Sequence, residues 1–84
     1  MPTDWDKLRV FHAVAEAGHF THAGETLNLS QSAVSRQIQA LEDALNVPLF
    51  HRHARGLILT EQGETLNRKV REVFAKLAMT ETML

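Results

Sequence analysis

Ser30-Gln31-Ser32-Ala33-Val34-Ser35-Arg36-Gln37-Ile38-Gln39-Ala40-Leu41-Glu42-Asp43-Ala44-Leu45 is the stretch on which the fold turns. Its apolar residues Val34, Ile38, Leu41 and Leu45 recur four, three and four apart, the spacing of one helix face. Ser30 precedes them as a helix N-cap, so the spacing predicts a helix from Ser30 to about Leu45. At 100° per residue the stripe faces a core, Ser32, Arg36, Gln39 and Asp43 point away from it, and Gln31 and Ser35 lie on its flank. Between Ser30 and Leu41 the one charge is Arg36. The outward N-terminal half therefore offers hydrogen-bonding groups with no acid among them, and the acids Glu42 and Asp43 come only at the far end.

On the N-terminal side, Asn28-Leu29-Ser30 is a short break. Before it, Thr21 to Leu27 reads as a short helix with Thr21 as its N-cap and Ala23 and Leu27 on one face. Gly24 inside it costs about 1 kcal/mol relative to Ala, which close packing or backbone approach would justify. Residues 4 to 17 read as a first helix, with Leu8, Phe11, Val14 and Ala15 at helical spacing, Gly18 as the stop, and Trp5 and Phe11 as core anchors.

On the C-terminal side, Pro48 ends the helical region. Leu49 to Arg52 and Leu57 to Thr60 form two short apolar runs around His53-Ala54-Arg55-Gly56, which reads as a hairpin with Gly56 at a positive-φ turn position and Arg55 at the tip. From Glu61 to Leu84, capped by Thr60, the pattern is helical again. Leu66, Val70, Val73, Leu77, Thr80 and Leu84 alternate at four and three, a heptad seam that predicts a partner helix, although the domain's own first helix would also serve. The expected architecture is mainly α: a winged helix-turn-helix over residues 1–60, with three helices and a two-stranded hairpin wing, then a linker and dimerisation helix over 61–84.

Composition bounds the function. Eighty-four residues, 44% hydrophobic, suffice for one domain with one modest core. There is no cysteine, so disulfides, thiolate zinc sites and a cysteine nucleophile are excluded, and a cytoplasmic setting fits. No apolar run approaches the roughly 20 residues that span a bilayer, and the N-terminus lacks a signal-peptide pattern. His19 and His22 are three apart and His51 and His53 two apart, but without a His-rich helix signature they predict no metal site. No glycine-rich phosphate loop or nucleophile constellation occurs, so neither enzymatic activity nor a cofactor is expected. Nine Lys and Arg against ten Asp and Glu give a net charge of -1 with histidine neutral, which by itself argues against DNA. Distribution argues the other way: residues 28 to 60 hold three basic and two acidic groups, whereas residues 1 to 27 hold two and four.

In a helix-turn-helix the second helix of the motif enters the major groove and its N-terminal residues meet base edges. Gln pairs with adenine, Arg with guanine and Ser with either, so Gln31, Ser32, Ser35, Arg36 and Gln39 have the right chemistry. Arg52 and Arg55 suit phosphate or minor-groove contacts. An alternative gives the function to the 61–84 helix as an interaction module and leaves the helix-turn-helix as a scaffold.

Four stretches, LRVFHAVAEAG (8–18), FTHAGETL (20–27), SQSAVSRQIQALEDAL (30–45) and VPLFHRHARGLILTEQG (47–63), resemble the N-terminal domain of LysR-type transcriptional regulators. The resemblance implies that Gln31, Ser32, Ser35 and Arg36 contact bases and phosphates, that Arg55 is the wing arginine, and that Thr21 lies where the second helix meets the backbone. It further implies an inverted-repeat double-stranded DNA partner and a homodimer through the last helix (Leu66, Val70, Val73, Leu77, Leu84), with a tetramer open to a full-length protein. Gly24 stands where the family has a second alanine, Ser32 where proline is common, and His22 where a basic residue is frequent. The family's effector-binding domain has no counterpart in these residues, so effector sensing is not assigned to them.

Overall fold

The computed structural model describes residues 4–54 and 56–84. Asp4, in extended backbone, accepts a hydrogen bond from the Asp6 amide at 2.8 Å and starts α1 (Trp5–Ala17). Gly18 ends it in the left-handed conformation at φ 77°, its amide donating to the Val14 carbonyl. A sharp corner leads into α2 (Phe20–Leu27), then a turn through Asn28 into α3 (Gln31–Leu45). Ser30 caps α3 as the sequence predicts, its hydroxyl accepting from the Ala33 amide at 3.1 Å.

Phe11, Val14, Ala23, Val34, Ile38 and Leu41 are fully buried and form the centre of the core, with Val10 and Leu49 beside them. The predicted stripe of α3 is thus the inward face, with Leu45 half-buried at its end. Gly24 is buried because α2 runs against the following turn. A Cβ there would lie 2.5 Å from the Leu29 carbonyl oxygen, so the close approach foreseen for this glycine is real.

β1 (Phe50–His53) and β2 (Gly56–Leu59) pair antiparallel, in register Phe50 with Leu59, His51 with Ile58, Arg52 with Leu57 and His53 with Gly56. The ladder reaches one pair nearer the tip than the sequence suggests, because Gly56 at φ 137° closes the last pair instead of sitting inside a four-residue turn. Thr60 then caps α4 (Glu61–Met83) by accepting from the Gly63 amide, while its own hydroxyl donates to the Pro48 carbonyl at 2.7 Å.

Two expectations are corrected. Thr21 is not the cap of α2: the helix begins one residue earlier, with extended His19 at the cap position, because the Gly18 corner sets where the chain turns. Trp5 is not a core anchor, being 63% exposed. It sits in the first turn of α1, on the rim of an apolar groove of about 370 Å³ that Leu8, Leu66, Val70, Val73 and Phe74 also line.

α4 packs along α1, and Arg71 closes that contact with a two-point bond to Glu16, Nε to Oε1 at 2.6 Å and Nη2 to Oε2 at 2.9 Å. The arginine holds the Glu16 carboxyl below its usual range, and the glutamate in turn raises Arg71. The heptad seam consequently divides. Val70 is buried in the chain's own core and Leu66 packs against it, whereas Leu77 and Leu84 are exposed and Val73 lies between these extremes.

Candidate nucleic-acid interface

The outer face of α3 starts with exposed Gln31 and Ser32, continues through half-buried Ser35 to exposed Arg36, and ends at exposed Gln39. Among the described residues Arg36 makes no ion pair. Its guanidinium is the single charge on the first half of this face, projecting from a helix whose opposite stripe is locked into the core. That anchoring makes the face rigid, which is what base-edge recognition requires.

Gln31 is oriented by a neighbour: the Thr21 hydroxyl donates to its Oε1 at 3.2 Å. This bond leaves both amide N–H groups and one oxygen lone pair of Gln31 available. Gln39 is placed differently. Its amide donates to Asp43 Oδ1 at 3.0 Å, which ties it to the acidic end of the helix and separates it from the Gln31 to Arg36 group.

The two acids of α3 are both engaged. Glu42 is half-buried, and one carboxylate oxygen accepts from the Leu49 amide at 2.7 Å and the Phe50 amide at 3.4 Å. That carboxylate fastens the start of the wing to the back of α3. The sequence reading left Glu42 merely clear of the groove. Its signal, an acid eight residues before a strand, is too common to read.

The wing is fastened at its tip as well. The Leu57 amide donates to the Gly18 carbonyl at 2.9 Å, and the Arg52 guanidinium lies 5.0 Å from the centre of the Phe20 ring. A cation over an aromatic face is attracted by the ring quadrupole, so Arg52 is held over α2 instead of sweeping through solvent. Phe20 was not singled out from the sequence, since nothing local links it to a residue 32 positions away. Thr21, Gln31 and Arg52 thereby share one open cleft of about 230 Å³, which His19, Phe20 and His53 also line. Ser32, Ser35 and Arg36 extend from it along α3. Arg55 lies outside the described residues.

Comparison with known proteins agrees with this geometry. Residues 5–64 match the family model of the bacterial regulatory helix-turn-helix proteins, lysR family. A probable RuBisCO transcriptional regulator of Guillardia theta is 48% identical over 68 residues, covering 81% of this chain and 22% of that protein. A glycine cleavage system transcriptional activator of Escherichia coli K12 is 47% identical over 70 residues, covering 83% and 23%. The chain thus spans about a quarter of the length of the curated relatives it matches. Among solved structures, the CbnR_DBD-DNA complex superposes with a TM-score of 0.84 at 34% identity, covering 96% of this chain and 93% of that one. With the family model matching residues 5–64 and the same fold in the CbnR_DBD structure, the chain belongs to the lysR family of bacterial regulatory helix-turn-helix proteins.

Proposed function

We propose that this chain binds double-stranded DNA sequence-specifically as part of a bacterial transcription regulator, with α3 in the major groove and the wing at the backbone or minor groove. The observation that carries this reading is the first half of α3. It is rigidly backed and free of exposed acid, with Gln31 already oriented by Thr21 and Arg36 in no ion pair among the described residues. Gln31, Ser32, Ser35 and Arg36 read base edges, Gln39 meets the groove only at its margin, and Thr21, Arg52 and Arg55 hold phosphates or the minor groove. The similar CbnR_DBD structure is a complex with DNA, which supports DNA binding here. This is a binding role, with no enzymatic step and no cofactor, in the cytoplasm where bacterial DNA is found. No helix among the described residues is long and apolar enough to cross a membrane.

Residues 1–60 serve as the reading head and 61–84 as the connection to a second copy. Val73, Leu77 and Leu84, with Leu66 at the edge, face the partner helix; Val70 contributes mainly by holding α4 in place. Pairing two heads on an inverted repeat doubles the contact surface, which a chain of net charge -1 needs, since one head brings few cations. A tetramer is open to the full-length protein. The test is selection of bound fragments from the source genome, followed by footprinting and anisotropy titration. The expected result is an inverted-repeat site bound in the nanomolar range, on the order of 10⁻⁸ M or tighter at physiological salt and weakening steeply as salt rises. Failure to prefer any fragment would overturn the reading.

A further inference from the structure

The cleft beside the recognition helix contains two residues that the reading above leaves unused, His19 and His53. His19 occupies the cap position of α2 in extended backbone, yet its side chain makes no capping bond. Its ring lies over the wing backbone instead: a Cβ on Gly56 would come within 2.8 Å of His19 Cε1. His53 is the last residue of β1 and pairs with that same Gly56. Both imidazoles are exposed, and they bracket one point of the wing from opposite elements. Arg52, Thr21 and Gln31 supply the other polar side chains of the lining.

The surrounding charges favour an anion. Among the described residues no carboxylate lines this cleft. On α2, Glu25 lines not this cleft but the adjoining hollow, on the far side of Thr21 and Gln31, which line both. On α1, Glu16 is engaged by Arg71. From the wing come Arg52 and His51, whose ring centre is 6.5 Å from that of His53, and α3 supplies Arg36 as its one cation.

We infer that His19 and His53 are DNA contacts in their protonated form, completing with Arg52 a cationic seat for a backbone phosphate. The inference rests on the DNA-binding reading above and adds a proton to it. Histidine is the side chain whose ordinary titration falls between pH 5 and 8, and a phosphate alongside favours its charged form. An imidazolium donating to a phosphate oxygen makes a charge-assisted bond that the neutral ring does not. Binding therefore takes up protons, and by linkage affinity rises as pH falls through the histidine range. The effect is large relative to the background, because the chain's formal charge is -1 when all five histidines are neutral.

The probe is a fluorescein-labelled duplex of about 30 base pairs, selected by this chain from a randomised pool at about pH 7 and titrated by anisotropy at constant ionic strength. Wild type is expected to bind about tenfold or more tightly at pH 6 than at pH 8, with a steeper salt dependence at the lower pH. His19→Gln with His53→Gln is expected to bind like wild type at pH 8 and to change by no more than about twofold at pH 6. His22→Gln with His51→Gln is expected to keep the wild-type response. Specific binding by wild type with neither pH response nor change in salt slope overturns the inference and leaves the DNA-binding reading standing. A full pH response in the His19/His53 double variant overturns it equally. A pool that yields no preferred duplex overturns the DNA-binding reading itself, and the inference with it.

Discussion

Gly63→Ala opposes a local rule to a long-range one. By helix propensity alone the change would stabilise α4 by about 1 kcal/mol. The structure reverses this, because the Leu49 carbonyl crosses directly over the helix at that residue. A Cβ on Gly63 would lie 2.1 Å from the Leu49 oxygen and 3.0 Å from Leu59 Cδ2. Carbon and oxygen approach comfortably only to about 3.3 Å, so the helix start and the wing base must separate by about 1 Å. The nearest atom, the Leu49 oxygen, is backbone, so no side-chain rotation relieves the clash. The separation stretches the Thr60 amide to Leu49 carbonyl bond, now 3.0 Å, and the Thr60 hydroxyl to Pro48 carbonyl bond, now 2.7 Å. Overpacking costs about 1–3 kcal/mol, and each weakened bond about 1 kcal/mol. Set against the propensity gain, the net destabilisation is about 2–4 kcal/mol. At about 4–8 °C per kcal/mol for a domain of this size, the midpoint of a circular-dichroism melt falls by about 10 °C or more. An unchanged or raised midpoint would refute the packing of the wing base on α4.

The remaining predictions test other joints. Glu42→Ala strips the acceptor from the Leu49 and Phe50 amides and lowers stability by about 1–3 kcal/mol by thermal melt, with Glu42→Gln intermediate; wild-type behaviour of both would remove the clamp. Val70→Ala costs about 1–3 kcal/mol of folding stability through lost burial and the cavity left behind. Leu77→Glu, on the exposed part of the seam, leaves the melt of the domain unchanged at low concentration but shifts sedimentation equilibrium toward monomer, and an unshifted equilibrium would take Leu77 out of the interface. Because Arg71 depresses the Glu16 carboxyl, the stability this pair adds is present above the ordinary carboxylate range and is lost as pH falls through the depressed value. Glu16→Gln therefore melts slightly below wild type at pH 7, and the gap closes below about pH 4; a pH-independent gap would assign the effect to packing.

What the sequence makes legible is whatever depends on near neighbours. Val34, Ile38 and Leu41 declare the inner face of α3 by period, and Ser30, Thr60 and Gly18 declare helix ends by capping chemistry. Thr21 shows the weakness of the same logic: a good capping residue stands two residues past the cap position, because the corner at Gly18 is fixed by a hydrogen bond from Leu57, 39 residues away. Trp5 misleads by size, since a large apolar residue at the start of a helix finds only the rim of a groove. The heptad of α4 gives the face but not its partner, and the structure splits that face between α1 and solvent. Of the site, the α3 residues are readable from their position opposite the stripe. The cleft is not, for it is assembled by Arg52 over Phe20 and by His19 over Gly56, contacts that no local spacing encodes.

On the proposed reading the first half of α3 reads sequence, with Arg36 as its charged reader. The direct measurement is the ratio of affinities for the selected duplex and a scrambled duplex of the same composition, compared between wild type and Arg36→Ala at matched salt. Arg36→Ala is expected to lose about 1–3 kcal/mol on the selected duplex, roughly 5- to 150-fold, while its affinity for the scrambled duplex changes far less. An equal loss on both duplexes would make Arg36 a phosphate contact, and no loss on either would contradict the claim outright.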